Sequence, residues 1–471
     1  MTRPRAARLD LIIVGMGSAG MVAAQFASTL GIRVACAERD RIGGDCLWTG
    51  CVPSKALLAS AKAAHAMRNA DAYGLAAVDP AVDTARVWAR IHAIQDEIAA
   101  TDDNADRFRR LGVDVLDGAA RLLSPTTLRV GEVQHATRFV LLATGSRPAL
   151  PQIDGLAAAA PLTSERIFTL TQAPASVVMI GGGPITIELA QALVRLGVPV
   201  TVLQSGPRIL PREEPALARR LLARLRAEGV EVVTGVDADR VSVGAGGAAK
   251  TVHAGERSWT AQELFVGAGR APNVEDLGLE EAGVRLGPRG VVVDRALRSS
   301  VASVYAAGDV AGRHIFTHAA GYEAARAVRN MFFPGSSSGP YLVPWCTFTD
   351  PELARAGLTE AQARAQHGDR AVRVWRQDLA HSDRARTESA SDGELRIVTA
   401  KGRVVGAHLL APNAGEVIGE LALAIDRRLK LTDLANVVHV YPTIALAIQQ
   451  LAAEAAYAAA RRVRWLVRLR A

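Results

Sequence analysis

Cysteine is scarce, four in 471 residues, which excludes a small disulfide-stapled secreted scaffold. Lysine is scarcer still: five of the 55 basic residues, so the formal charge of +8 is carried almost wholly by arginine. Beside heavy alanine usage, this reads as a compositional bias of the genome. Aromatics make up 4% of the chain. The basic residues are spread along it without interleaved aromatics, which argues against a nucleic-acid stripe. No apolar run reaches the about 18 residues of a membrane-spanning helix without polar or charged breaks. Behind Arg3, Arg5 and Arg8, the run Leu11 to Val14 is too short for a signal-peptide core. A cytoplasmic protein is expected. What is present is ordinary globular material, 49% hydrophobic and 22% charged, with a length suited to about three domains at roughly 100–200 residues each.

The first chemistry-bearing segment is a β-turn-α-β unit. A strand from Asp10 to Val14 leads into Gly15-Met16-Gly17-Ser18-Ala19-Gly20, then a helix to about Gly31 and a strand from Arg33 to Ala37. In G-x-G-x-x-G the first glycine permits the tight turn and the second lets backbone approach a pyrophosphate. The third lets helix and strand pack closely. The helix N-terminus offers unpaired N–H groups to phosphates. Glu38, 18 residues beyond Gly20, stands where an acid can hydrogen-bond a ribose hydroxyl. Dinucleotide binding is the reading, against a plain glycine turn.

A second unit begins near Ser176. Its turn is Gly181-Gly182-Gly183-Pro184-Ile185-Thr186, and Thr186 in place of the third glycine predicts slightly looser packing. The next strand ends at Gln204, where an acid would hold the 2′-hydroxyl of NAD and repel the 2′-phosphate of NADP. Its absence, with Arg208 nearby, favours NADPH, while a glutamine can also bond a hydroxyl and so serve NADH. Two dinucleotide folds imply two dinucleotides, and the natural redox partner of a nicotinamide is a flavin.

Between the units lies Gly43-Gly44-Asp45-Cys46-Leu47-Trp48-Thr49-Gly50-Cys51-Val52-Pro53-Ser54-Lys55. Cys-x4-Cys puts the sulfurs about 1.4 helical turns apart, near enough for a disulfide if the helix start is distorted. Lys55, one turn past Cys51, shares its face and can stabilise a thiolate. The other readings are an inert pair or half a zinc site. Cys36 and Cys346 lie elsewhere without metal spacing, so no metal is expected and a redox pair is.

This motif resembles the active-site motif of the class I pyridine nucleotide–disulfide oxidoreductases, the family of dihydrolipoamide dehydrogenase, glutathione reductase and mercuric reductase. GMGSAG, LLATGSRPALP, GGGPIT, GAGRAPN, VYAAGDV and FTDPELARAG extend the resemblance over nearly the whole chain. The resemblance implies an α/β protein with two Rossmann-like dinucleotide-binding domains and a C-terminal α+β dimerisation domain. FAD would be bound by 1–147 and 271–340, NAD(P)H by 148–270, and a homodimer formed by 341–471. Around FAD it places Gly15, Gly17, Ser18, Ala19, Gly20, Glu38, Arg39, Gly44, Asp45 and Lys55. Ala143, Thr144, Gly145 and Gly308 would also line FAD, Gly118 and Ala119 would meet its adenine, and Asp309 its ribityl chain. Around the nicotinamide dinucleotide it places Gly181, Gly183, Pro184, Ile185, Gln204 and Gly269. Cys51 would face the flavin as the charge-transfer thiolate, Cys46 would be the interchange thiol, and Lys55 would pair with Glu188.

The sequence departs from the disulfide-reducing members at one place. Those end in His-Pro-Thr-x-x-Glu, whose histidine protonates the leaving thiolate. Here Tyr441 stands at the histidine position and Leu446 at the glutamate position, and His439 comes two residues early. Tyrosine resembles the mercuric reductases, which also use a C-terminal cysteine pair; no cysteine follows Cys346. The expectation is a mercuric-reductase-like flavoprotein with an active dithiol and an unidentified acceptor. Alternatives are a lipoamide-type disulfide reductase, a flavin-only quinone diaphorase, or a non-catalytic dimer. The tail from Ala455 to Ala471, rich in arginine around Trp465, reads as a helix packed on the dimer, with an anionic membrane surface as the other use.

Overall fold

Strands without polar alternation open both nucleotide units, because a parallel sheet covered by helices buries both of its faces. Leu11, Ile12 and Ile13 are fully buried. The computed structural model describes residues 8–462 apart from 248, 334 and 336–338, and the arginine-rich segment 463–471 lies outside the described residues. Within them, Leu9–Val14 is flanked in parallel by Val34–Glu38 and Val133–Leu142, with Asp114–Asp117 outside one and Val304–Ala306 beside the other. Thr127–Val130 and Ala120–Ser124 extend this sheet as an antiparallel meander. The strand order turns back between Leu9–Val14 and Val133–Leu142, so their carboxyl ends flank the crevice where such folds bind ligands.

The second unit repeats the plan. Glu231–Thr234, Val200–Gln204, Val177–Ile180 and Glu263–Val266 form a four-stranded parallel sheet in that order. The third is a five-stranded antiparallel sheet ordered Trp345–Thr347, Glu352–Gly357, Arg403–Ala411, Glu394–Ala400 and Val372–Asp378. The helices Ala414–Asp426 and Leu446–Arg462 pack on it through Ile418, Leu421, Ile448 and Leu451. The last helix starts at Leu446, after Thr443 closes a turn onto the Val440 carbonyl at 2.7 Å.

One packing contact positions the chemistry. The Cys51–Arg68 helix presents Ala56, Ala61 and Ala64 to a core shared with Ile187 and Ala190 of the Pro184–Arg195 helix. Small side chains let the two helices come close, which brings Lys55 of one to Glu188 of the other.

Candidate active site

The carboxyl ends of both parallel sheets and the first strand of the third open onto one cleft of about 1680 Å³. It is lined by Cys46, Cys51, Lys55, Glu188 and every residue expected to meet a dinucleotide except Gly20. Gly20 instead packs its bare Cα against the Gly15 carbonyl, where a Cβ would lie 1.9 Å from the oxygen. Tyr441 is not in the cleft of its own chain.

In the first turn, Gly15 sits at φ +98°, and a Cβ there would be 2.6 Å from the Ala143 carbonyl oxygen. The Ser18–Thr29 helix starts at Gly17 with no side-chain cap, so its first N–H groups face the cleft unpaired by side chains. Glu38 closes the turn: its carboxylate accepts from the Met16 N–H at 2.7 Å, and from Arg39 and Asp40 at 2.8 and 3.0 Å. Gly118 donates to the Glu38 carbonyl at 2.7 Å. Asp309 receives the Ser146 hydroxyl at 2.5 Å, and burial pushes its carboxyl up. An uncapped helix end to donate to phosphates, a glycine floor and an acid at the second strand's end to accept from a ribose hydroxyl are what an FAD requires, and the residues fit it.

The cysteines do not share a helix, as the spacing alone suggested. Cys46 lies on the short helix Gly44–Trp48, and Cys51 begins the separate helix Cys51–Arg68. Thr49 and Gly50 break the run. Cys46 is half-buried, whereas Cys51 is exposed to the cleft. The Thr317 hydroxyl lies 3.2 Å from Cys51 Sγ. Cys46 hydrogen-bonds Cys51, and with Thr317 and the Lys55 charge it lowers the Cys51 thiol to about 6, against burial and the Asp45 charge. The same bond, burial and the neighbouring thiolate push Cys46 up, so it keeps its proton. Lys55 Nζ donates to Glu188 Oε2 at 2.9 Å and lies 4.3 Å from the centre of the Phe348 ring. The buried Glu188 uses its other oxygen to accept the Phe348 N–H at 2.8 Å.

The second turn mirrors the first. Gln204 Oε1 accepts the Gly182 N–H at 2.6 Å, the position that Met16 occupies relative to Glu38. Two expectations change here. Thr186 does not loosen the packing: it is fully buried and fills the space above Gly267, where a Cβ would meet its Oγ1 at 2.2 Å. Arg208 is no free phosphate clamp, since it donates to the carbonyls of Glu213 and Pro211 at 3.0 and 2.6 Å.

At the chain's end, Tyr441 donates to Asp383 at 3.2 Å, and that carboxylate raises the phenol's pKa. His439 turns the other way. Its Nε2 lies 3.1 Å from both Glu420 oxygens and its Nδ1 3.1 Å from the Val437 carbonyl. Both ring nitrogens are engaged away from Tyr441, as befits a structural histidine. Sequence reasoning missed Ser146, Arg270, Thr317 and Phe348 as site residues. Thr317 is 266 positions from Cys51, and only the fold closes that distance; Ser146 and Arg270 stood inside quoted motifs without a role.

Comparison with known proteins agrees with this geometry. The pyridine nucleotide-disulphide oxidoreductase family matches residues 9–325, and its dimerisation domain matches residues 343–452. A dihydrolipoyl dehydrogenase of Bacillus subtilis is 31% identical over 95% of this chain and 98% of that protein. A mercuric reductase of Shigella flexneri is 34% identical over 93% of this chain and 79% of that one. The Cu(II) complex of the HOCl-induced flavoprotein disulfide reductase RclA from Escherichia coli superposes with a TM-score of 0.84 at 26% identity, covering 95% and 99% of the two chains. The chain belongs to the pyridine nucleotide-disulphide oxidoreductases, FAD-dependent enzymes that use NAD(P)H.

Proposed function

We propose that this enzyme moves electrons from NAD(P)H to the Cys46–Cys51 pair and from there to an acceptor other than lipoamide or glutathione disulfide, in the manner of a mercuric reductase. One observation carries the reading: the cleft holds a thiolate beside a thiol, while Tyr441 and Leu446 stand where an acid–base pair would serve a leaving sulfur. FAD, when bound, supplies the two-electron relay between nicotinamide and disulfide. The first glycine turn, Glu38, Asp309 and Lys55 would hold it, and the second turn with Gln204 the nicotinamide dinucleotide. On reduction the S–S bond opens with two electrons and two protons taken up. Cys51 releases its proton because Cys46, Thr317 and Lys55 favour the thiolate; Cys46 retains its own and meets the acceptor. Return to the disulfide delivers the electron pair.

A thiophilic metal ion suits this site: its binding displaces the Cys46 proton to solvent, and its reduction needs no proton at a departing sulfur. Relatives named for mercury and a neighbour solved with Cu(II) support that class. The reading divides the chain into an FAD unit of 1–147 and 271–340, an NAD(P) unit of 148–270 and an interface unit of 341–471 in a homodimer. NADPH is the favoured donor, because Gln204 brings no carboxylate against a 2′-phosphate. The test is steady-state turnover of the holoenzyme with NADPH or NADH against lipoamide, glutathione disulfide, Hg(II), Cu(II) and a quinone. A metal ion turning over faster than either disulfide is expected; lipoamide as the fastest acceptor overturns the reading. A quinone reaction that survives Cys51→Ser would identify a flavin-only diaphorase.

A further inference from the structure

Beside Cys46 lies an ion pair whose cation has had no role assigned so far. Asp45 is the residue before Cys46, on the short helix Gly44–Trp48. One of its oxygens takes the Thr49 hydroxyl; the other lies 3.0 Å from the guanidinium of Arg270. Arg270 follows the Glu263–Val266 strand of the second sheet and is largely buried, its side chain 12% exposed. Its fork also donates to the Ser146 hydroxyl at 2.7 Å and the Ser146 carbonyl at 2.9 Å. Asp309 lies 3.7 Å from its Nε and receives the Ser146 hydroxyl.

We propose that Arg270 is a positioning residue of the dithiol centre: it clasps Asp45, and with it the Cys46 turn, to the Ser146–Asp309 pair across the cleft. A guanidinium suits the task because its planar fork serves several oxygens at once. Arg270 is the cation shared by two carboxylates here, and its partial burial limits screening by solvent. Without it Asp45 would stand as an uncompensated negative charge one residue from Cys46. That charge opposes ionisation of Cys51. The groups facing Cys51 are Cys46 and Asp45 from the turn before it, Lys55 on its own helix and Thr317 from the opposing helix.

The proposal rests on the dithiol reading, and the experiment separates the two. The holoenzyme is reduced anaerobically by two electrons, and the long-wavelength absorption of the Cys51 thiolate against the flavin is titrated with pH. If the wild type shows no such band, the dithiol reading fails. Given the band, its midpoint is expected to rise in Arg270→Gln, fall in Asp45→Asn, and stay near wild type in Arg270→Lys. Arg270→Gln is expected to shift it less in the Asp45→Asn background, where the carboxylate next to Cys46 is already gone. Asp45→Asn keeps the side chain's shape and carries the test by itself if Arg270→Gln fails to retain FAD. A midpoint unmoved by Asp45→Asn, or equal Arg270→Gln shifts in both backgrounds, overturns the clasp.

Discussion

The ionisation of Cys51 is set by its neighbours. An ordinary cysteine is about a tenth or less ionised at pH 7; with its pKa lowered to about 6, Cys51 in the reduced enzyme is mostly thiolate there. The sign is that of a depressed acid: the charged form holds above about 6 and is lost as pH falls through it. The long-wavelength band should therefore persist at pH 7 and fade toward pH 5, and a band that appears only on the alkaline side would show the pKa to be raised. A second expectation concerns Gln204, whose carbonyl oxygen is committed to Gly182. Gln204→Glu keeps that bond and adds a charge that repels a 2′-phosphate, so the ratio of NADPH to NADH efficiency should drop. A wild-type preference for NADH of about tenfold, worth about 1.4 kcal/mol, would show that no such discrimination depends on the missing carboxylate. Glycine spacing and the terminal residue of each second strand made these positions legible in the sequence. Arg208 was less legible, because proximity in sequence does not reveal that its terminal nitrogens already donate to carbonyls of its own loop.

Turns and helices show the same limit one level up. Both glycine turns and their flanking strands were readable, since a buried parallel strand is an unbroken apolar run and its turn needs glycine. The break between Cys46 and Cys51 was not. Helical spacing counts residues along a continuous axis, and the two cysteines lie on different helices. Thr186 was misjudged for a related reason: its partner, Gly267, comes from a distant strand end and cannot be paired with it by periodicity. That pairing is testable. Gly267→Ala would place a methyl 2.2 Å from Thr186 Oγ1 and 3.1 Å from the Phe265 ring. Overpacking of this kind costs about 1–3 kcal/mol, so the melting temperature should fall. Thr186→Gly in the same chain should recover most of the loss, because it removes the opposing side chain. Equal melting temperatures for Gly267→Ala and wild type would mean that the turn yields more easily than its burial implies.

At the scale of the molecule, the segment around Tyr441 stands exposed among the described residues. Val438, Val440 and Tyr441 are 89%, 75% and 67% exposed, on a domain matched to the family's dimerisation domain. A second copy seated there would bring each Tyr441 toward the other chain's cleft, which its own chain leaves unreached. There the phenol could donate a hydrogen bond, but with its pKa raised by Asp383 it would not act as a base near neutral pH. Disulfide turnover by the native dimer should then lack the roughly 10²–10⁴-fold that acid–base catalysis contributes. In the proposed function the flavin half-reaction with NAD(P)H rests on Lys55, Glu188 and the second glycine turn, none of which belongs to this segment. The double change Tyr441→His and Leu446→Glu should therefore raise lipoamide or glutathione disulfide turnover and leave the stopped-flow rate of flavin reduction unchanged. Leu446 opens the last helix and its amide is held by the Thr443 hydroxyl, so a glutamate there can orient a histidine that precedes Pro442. Native turnover of lipoamide already equal to that of the double variant would mean that a different group delivers the proton. His439→Gln would then be the variant to measure: a lowered rate would assign the proton to His439, and a wild-type rate would exclude it.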